Sequence, residues 1–298
     1  MNLAHHIEGA AARAILATLR ALGPVRASNL GGAIACAVGP ALPVSRIADI
    51  NLRMALPELG AAARRRTIRG VWENLGRTVG EFVHVGRLGE TSDGPGWTIV
   101  GLEHVEAIAR AGGPAIWFTG HIGNWEVLPL AAAHRGLRLA SMYRPADNPV
   151  VDQLILELRR QSMGADAKLF PKGAQGARQA LQHLRAGGFI GMLIDQKMND
   201  GIEARFFGRP AMTASALAAL ALKLRCPVVP AYAQRVAPAR FVLTCEPPLA
   251  LPSTGDRNAD IAALTQAVND RLEVWVRAKP ESWLWLHRRW PKESYGGR

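Results

Sequence analysis

At 298 residues the chain is long enough for one large domain or two small ones, and with 49% hydrophobic residues it can bury a sizeable core. Its three cysteines, Cys36, Cys226 and Cys245, are too few and too far apart for a disulfide scaffold, and none has the close Cys or His neighbours of a zinc site. The formal net charge of +12, carried by 30 Arg and six Lys against 24 acidic residues, favours anionic partners such as acidic lipid or an acidic protein. No long basic run with interleaved aromatics marks a nucleic-acid binder.

The N-terminal part reads as helices, with Leu16, Leu19 and Leu22 and then Ile47, Ile50, Leu52 and Met54 in mixed helical periodicity, punctuated by Pro40, Pro43 and Pro57. It lacks the charged start, apolar core and cleavage site of a secretory signal. ASNLGGAIACAVGPALPVS, residues 27–45, is nearly long enough to span a membrane, but its three glycines and two prolines favour an interfacial or buried helical hairpin. GETSDGPG, residues 89–96, is a turn-rich connector. We therefore expect a helical extension over 1–90 packed on the core of an α/β domain over 91–298.

Beyond the connector, strand-like and helical runs alternate. Strands are expected at 97–100, 115–119, 139–143, 189–195, 228–233 and 241–245. Helices are expected near 125–135, 150–163, 176–186, 213–225 and 259–278. This alternation predicts an α/β fold with a mixed, largely parallel central sheet flanked by helices. Gly173 and Gly176 in KGAQGARQAL are not followed by Gly-Lys-Ser/Thr, so this is no nucleotide loop.

One stretch carries candidate chemistry. FTGHIGNWEVLPL, residues 118–130, leaves the apolar strand AIWFT at Gly120 and enters a helix for which Asn124 is a suitable cap. His121 then sits at the C-terminal edge of a strand, where open α/β sheets place ligands. Glu126, five residues on, can reach back to one imidazole nitrogen, fix the tautomer and leave the other nitrogen as a base. The spacing equally fits a loop histidine beside an ordinary helix cap. No Ser, Thr or Cys adjoins His121 to serve as a covalent nucleophile, so a base here would act on a substrate hydroxyl.

Several blocks, in order, resemble the late acyltransferases of lipid A biosynthesis, the lauroyl/myristoyl transferases, within the wider glycerolipid acyltransferase superfamily with its His-x4-Asp/Glu motif. They are NLRMALPE (51–58), GLEHVEAIARAGG (101–113), TGHIGNWE (119–126), MYRPADNPVVD (142–152), GMLIDQKMNDGIEARFFGRPAMT (191–213), CPVVPAYAQR (226–235) and PESWLWLHRRWPK (280–292). The hydrophobic N-terminal segment is poorer as a membrane anchor than the family's usual one.

The resemblance implies transfer of a fatty acyl chain from an acyl carrier protein thioester to a hydroxyl of a Kdo-bearing lipid A precursor, at the cytoplasmic face of the inner membrane, with no metal and no dissociable cofactor. His121 is then the general base and Glu126 its orienting partner. Backbone N–H groups of Gly123 and Asn124 are candidates for the oxyanion. Arg144 would neutralise a phosphate or the oxyanion. Asp195, ending an apolar strand at the same sheet edge, would pair with Arg144 or orient substrate. Arg209 and the helix start near Thr213 would meet the sugar phosphate or acyl chain, or else merely pack and cap. The tail SWLWLHRRWPK suits either a membrane interface rich in anionic lipid or a core element with a basic end. Another bacterial glycolipid or lyso-lipid acceptor, and a non-catalytic lipid-binding protein on the same fold, are the alternatives.

Overall fold

The computed structural model describes residues 3–143, 148–163, 167–171 and 173–296. The chain opens on α1 (Leu3–Val38), which is broken where Gly23 adopts φ 74° and Pro24 follows. Proline has no N–H to give the preceding turn, and glycine accepts the left-handed backbone. A short turn leads to α2 (Ser45–Ala55) and then to α3 (Ala61–Phe82). α1 and α3 pack backbone to backbone: a Cβ on Gly76 would stand 2.2 Å from the Gly31 carbonyl oxygen, and one on Gly80 2.2 Å from that of Ala27.

The α/β part follows in the order β1 (Gly96–Val100), α4 (Leu102–Ala111), β2 (Ala115–Thr119), α5 (Val127–His134), β3 (Leu139–Tyr143), α6 (Pro149–Met163), β4 (Leu169–Pro171), α7 (Ala174–Arg185) and β5 (Phe189–Leu193). Then come β6 (Ile202–Phe206), β7 (Arg209–Thr213), α8 (Ala216–Leu224), β8 (Val228–Ala237), β9 (Arg240–Cys245) and α9 (Arg257–Ala278). The sheet runs β1-β9-β8-β2-β5-β3-β4, and within it only β8 and β9 pair antiparallel. This is the mixed, largely parallel sheet with helical flanks that the alternating pattern predicts. Two features were not expected. β4 is a three-residue edge strand, and residues 202–213 form an antiparallel hairpin, β6–β7, apart from the main sheet.

The two sheet faces are covered differently. One apolar cluster joins Leu52 of α2 and Val71 and Trp72 of α3 to Ile116, Phe118 and Ile190 of the sheet and to Trp283, Trp285 and Trp290 of the tail. These three tryptophans are 0–1% exposed, so the tail is core and not a membrane-interface belt. Arg289 is buried beside them. It donates to Met212 O, Thr213 Oγ1 and Asn269 Oδ1, and it lies over the Phe206 ring. Asn51 of α2 donates to the Trp285 and His287 carbonyls, fastening the tail to the helical extension. The opposite face packs Trp117, Leu139, Ala231 and Cys245 against Val105 and Ile108 of α4.

Among the described residues no single helix is long and apolar enough to cross a membrane. Glu8–Ala41 and Ser45–Ala55, bent by 83°, pass the test of length and composition as a pair. Leu30, Ile34 and Val38 follow one another at helical spacing along α1 and face outward.

The α1–α3 contact is tight enough to test. Gly76→Val drives a branched side chain into the Gly31 backbone and should cost about 1–3 kcal/mol, read as a lower midpoint in chemical denaturation.

Candidate active site

Strands β2 and β5 are adjacent and parallel, in a register that sets Thr119 beside Leu193. His121 and Asp195 each lie two residues further along, so both leave the sheet together at its C-terminal edge. His121 Nδ1 is 2.8 Å from Asp195 Oδ1, and the His121 backbone N–H donates to Oδ2, also at 2.8 Å. The indole N–H of Trp283 donates to the same Oδ2 at 2.7 Å. Asp195 is fully buried. Burial pushes its pKa up, but the charge of His121 and its hydrogen bonds outweigh this and hold the carboxyl well below its ordinary value of 3.8. An ionised carboxylate only accepts, so whenever His121 carries a single ring proton that proton belongs on Nδ1. The Nε2 lone pair is then free, with no protein partner among the described residues.

The loop carrying His121 is held from two further sides. The tail bridges it as a one-residue antiparallel pair, Ile122 with Trp283, through Gly123 N to Ser282 O at 2.9 Å and Leu284 N to His121 O at 3.1 Å. α3 supplies Asn74 and Thr78, which both donate to the Gly123 carbonyl. Below them the buried Glu81 accepts from Asn124 Nδ2, Ser28, the Ala239 N–H and, through both carboxylate oxygens, Arg235. Gly123 has φ +59°, and a Cβ there would sit 1.9 Å from Ala233 O, so only glycine fits.

His121 opens onto a cavity of about 690 Å³. Trp117, Leu139, Ala231, Leu243 and Cys245 of the sheet line it, with Val105 of α4 and Leu128 and Ala132 of α5. Its polar lining includes His121, Glu126, Arg159, Lys197, Arg135 and Asp200. The size and the apolar lining with few polar groups are those of a small-molecule site. Trp125 stands edge-on to the His121 ring, centroids 4.8 Å apart. Burial pushes the Cys245 thiol up to about 11, so it sits there as an apolar wall and not as a nucleophile.

Several expected roles change. Glu126 lines the same cavity as His121, but its carboxylate binds Arg159, at 2.6 Å to one guanidinium nitrogen and 3.1 Å to Nε. Burial opposes the Arg159 charge, but the Glu126 carboxylate outweighs it and raises the pKa. The carboxylate bonded to the His121 ring is that of Asp195, because strand register delivers Asp195 to it. Gly123 cannot serve an oxyanion, since its N–H is spent on Ser282 O. Asn124 is buried, and its Oδ1 accepts from the Glu126 N–H just before α5, so it turns the chain into the helix slightly ahead of the cap position. Arg209 lies outside the cavity, on the β6–β7 hairpin, donating to Met54 O. Thr213 is buried and bonded to Arg289, Asn269 and Ala211, a packing role. Arg144 lies outside the described residues. Arg159 and Trp283 escaped sequence reasoning. The first sits at an unremarkable helical position. The second stood in a motif whose tryptophans also suited a membrane surface.

Sequence comparison fits this geometry. The family described as bacterial lipid A biosynthesis acyltransferase matches residues 5–292, and the chain belongs to this family of acyltransferases. The chain is 25% identical over 190 residues to a lipid A biosynthesis acyltransferase of Haemophilus influenzae, a match spanning 63% of this chain and 57% of the relative. It is 24% identical over 246 residues to the lipid A biosynthesis myristoyltransferase of Escherichia coli, spanning 81% of this chain and 73% of the relative. It is also 24% identical over 202 residues to a phosphatidylinositol mannoside acyltransferase of Mycobacterium tuberculosis, spanning 64% and 59%. The match thus covers less than two thirds of the length of the first and third of these relatives.

Asp195 ties stability to pH with a definite sign. Its folded pKa is depressed, so its contribution is complete above the unfolded value of 3.8 and is lost as pH falls below it. Asp195→Asn should be less stable at pH 7 by about 3 kcal/mol, and its stability should fall less steeply below pH ~4, by up to about 1.4 kcal/mol per pH unit. Denaturation midpoints across the acid range check both.

Proposed function

We propose that the chain transfers a fatty acyl group from an acyl carrier protein thioester to a hydroxyl of a Kdo-bearing lipid A precursor, with His121 as general base and Asp195 as its orienting partner. The observation that carries this is a histidine whose Nδ1 is bound to a buried, ionised carboxylate and whose Nε2 is free, beside a large apolar cavity. Nε2 takes the proton of the acceptor hydroxyl as its oxygen attacks the thioester carbonyl. Asp195 stabilises the imidazolium that forms. The tetrahedral intermediate collapses, the C–S bond breaks, and the leaving thiolate takes the proton from Nε2. The products are an ester and a free carrier thiol, without an acyl-enzyme.

The apolar cavity receives the alkyl chain. Arg159, fixed by Glu126, presents a cation to a phosphate of the acceptor or to the developing oxyanion. The backbone N–H groups of Asn124 and Trp125, which no backbone acceptor takes among the described residues, are the remaining oxyanion donors of the loop, and of the two Trp125 lines the cavity. We further propose peripheral attachment at the cytoplasmic face of the inner membrane. The exposed apolar row on α1 and the net charge of +12 support it, since both suit an anionic lipid surface.

A second acceptor is favoured by one observation. The similarity to the phosphatidylinositol mannoside enzyme is as high as that to the lipid A enzymes, so another glycolipid acceptor also fits.

The test is acyl transfer in detergent micelles, with carrier thioesters of several lengths and both acceptor types. His121→Ala and Asp195→Asn should each lower kcat by about 10³-fold or more while lipid binding persists. Undiminished turnover in either would sink the mechanism, and binding without turnover in the wild type would make the chain a lipid-binding protein. Glu126→Gln should act on acceptor KM more than His121→Ala does, since it frees Arg159. Cys245→Trp should fill part of the cavity and move the donor optimum to shorter chains, seen as a change in the ratio of kcat/KM between long and short thioesters.

A further inference from the structure

Asp195 is an unusual buried carboxylate. Its one ionic partner within 4 Å among the described residues is His121. His287 and Arg289 also face it from the tail and feel its charge, but neither bonds to it. Arg289 directs its two terminal guanidinium nitrogens to Met212, Thr213 and Asn269, and His287 Nδ1–H donates to Leu284 O. The remaining contact to the carboxylate is the neutral indole N–H of Trp283, at 2.7 Å from Oδ2.

We propose that Trp283 is a positioning residue for catalysis: its indole N–H anchors Oδ2 of Asp195, so that Oδ1 stays aligned with Nδ1 of His121 as the imidazolium forms. This rests on the reading of His121 as the base. The backbone N–H of His121 shares Oδ2 with the indole, and the two together leave the carboxylate no free rotation. The indole is itself immobile. Trp283 is fully buried, packed edge-on to Trp285 at 4.6 Å and to Phe206 at 5.6 Å, and its backbone pairs with Ile122. Its chain neighbours Ser282 and Leu284 clamp the loop backbone, while its indole holds the carboxylate behind it. A neutral donor has a further advantage over Lys or Arg. It stabilises the carboxylate without adding a cation that would repel the imidazolium in the transition state.

Trp285 supplies the control. It is equally buried and next but one in the chain, but its indole donates to the Pro280 carbonyl and not to a carboxylate.

The experiment compares three proteins with wild type. They are Trp283→Phe, Trp285→Phe, and a chain with the isosteric 3-benzothienylalanine at position 283, which keeps the bicyclic shape and lacks the N–H. The readouts are kcat and donor KM for acyl transfer, and the low-field NMR resonance of the His121 Nδ1 proton, which needs no substrate. Loss of one hydrogen bond to a charged group predicts a kcat lower by about 10- to 100-fold in both position-283 proteins, with donor KM within about twofold. The Nδ1 resonance should shift or broaden in both, and Trp285→Phe should keep it. An isostere with wild-type kcat overturns the proposal. So does a fall in kcat matched by Trp285→Phe, or an effect confined to KM. If the wild type transfers no acyl group from any donor, the base mechanism fails separately. The resonance then decides the geometry alone: an unchanged Nδ1 signal in the isostere overturns the anchoring.

Discussion

The site rests on a charge placed where water cannot reach it. A carboxylate buried alone costs several kcal/mol, and an acid that must stay ionised needs donors on every side. Asp195 finds them in the ring and backbone of His121 and in the indole of Trp283. Each donor comes from a different stretch of the fold than the acceptor. β5 delivers the carboxylate, the loop after β2 delivers the histidine, and the tail after α9 delivers the indole. None can shift without leaving the charge short of a partner.

The helical extension is bound into the same arrangement. Asn74 and Thr78 of α3 hold the Gly123 carbonyl, and Glu81 gathers Asn124, Arg235 and Ser28 of α1 in one buried cluster. Asn51 of α2 fixes the tail that carries Trp283. The helical extension, expected to pack on the core, therefore forms the floor beneath the histidine loop. Ser28 of α1 is thus linked through Glu81 to Asn124, three residues from His121 in the same loop.

The fold was largely legible because burial imposes a period. Apolar runs such as AIWFT and FIGML are strands, and their alternation with helical segments gives the parallel sheet. The hairpin at 202–213 was hidden because Phe206, Phe207, Gly208 and Pro210 read as loop and cap, and its pairing is not local to the main sheet. For the site, His121 stood out by its place at a strand end, but its partner was misread. Glu126 is near in sequence, whereas Asp195 is near in space only because β2 and β5 are neighbours. Strand adjacency is not written in either strand's own residues. The tail tryptophans raise the same difficulty, since an indole beside arginines suits a lipid interface and a polar core equally well.

Because the tail supplies both the clamp on the loop and the anchor for Asp195, the order of the chain sets the order of assembly. During synthesis β2 and β5 are complete long before residues 282–284 leave the ribosome. Until they do, the Asp195 carboxylate lacks its indole and the histidine loop lacks its bridge. The nascent α/β core thus holds His121 and Asp195 before either is fully fastened. The histidine loop is thus completed only when the tail docks across a sheet whose strands precede it in the chain.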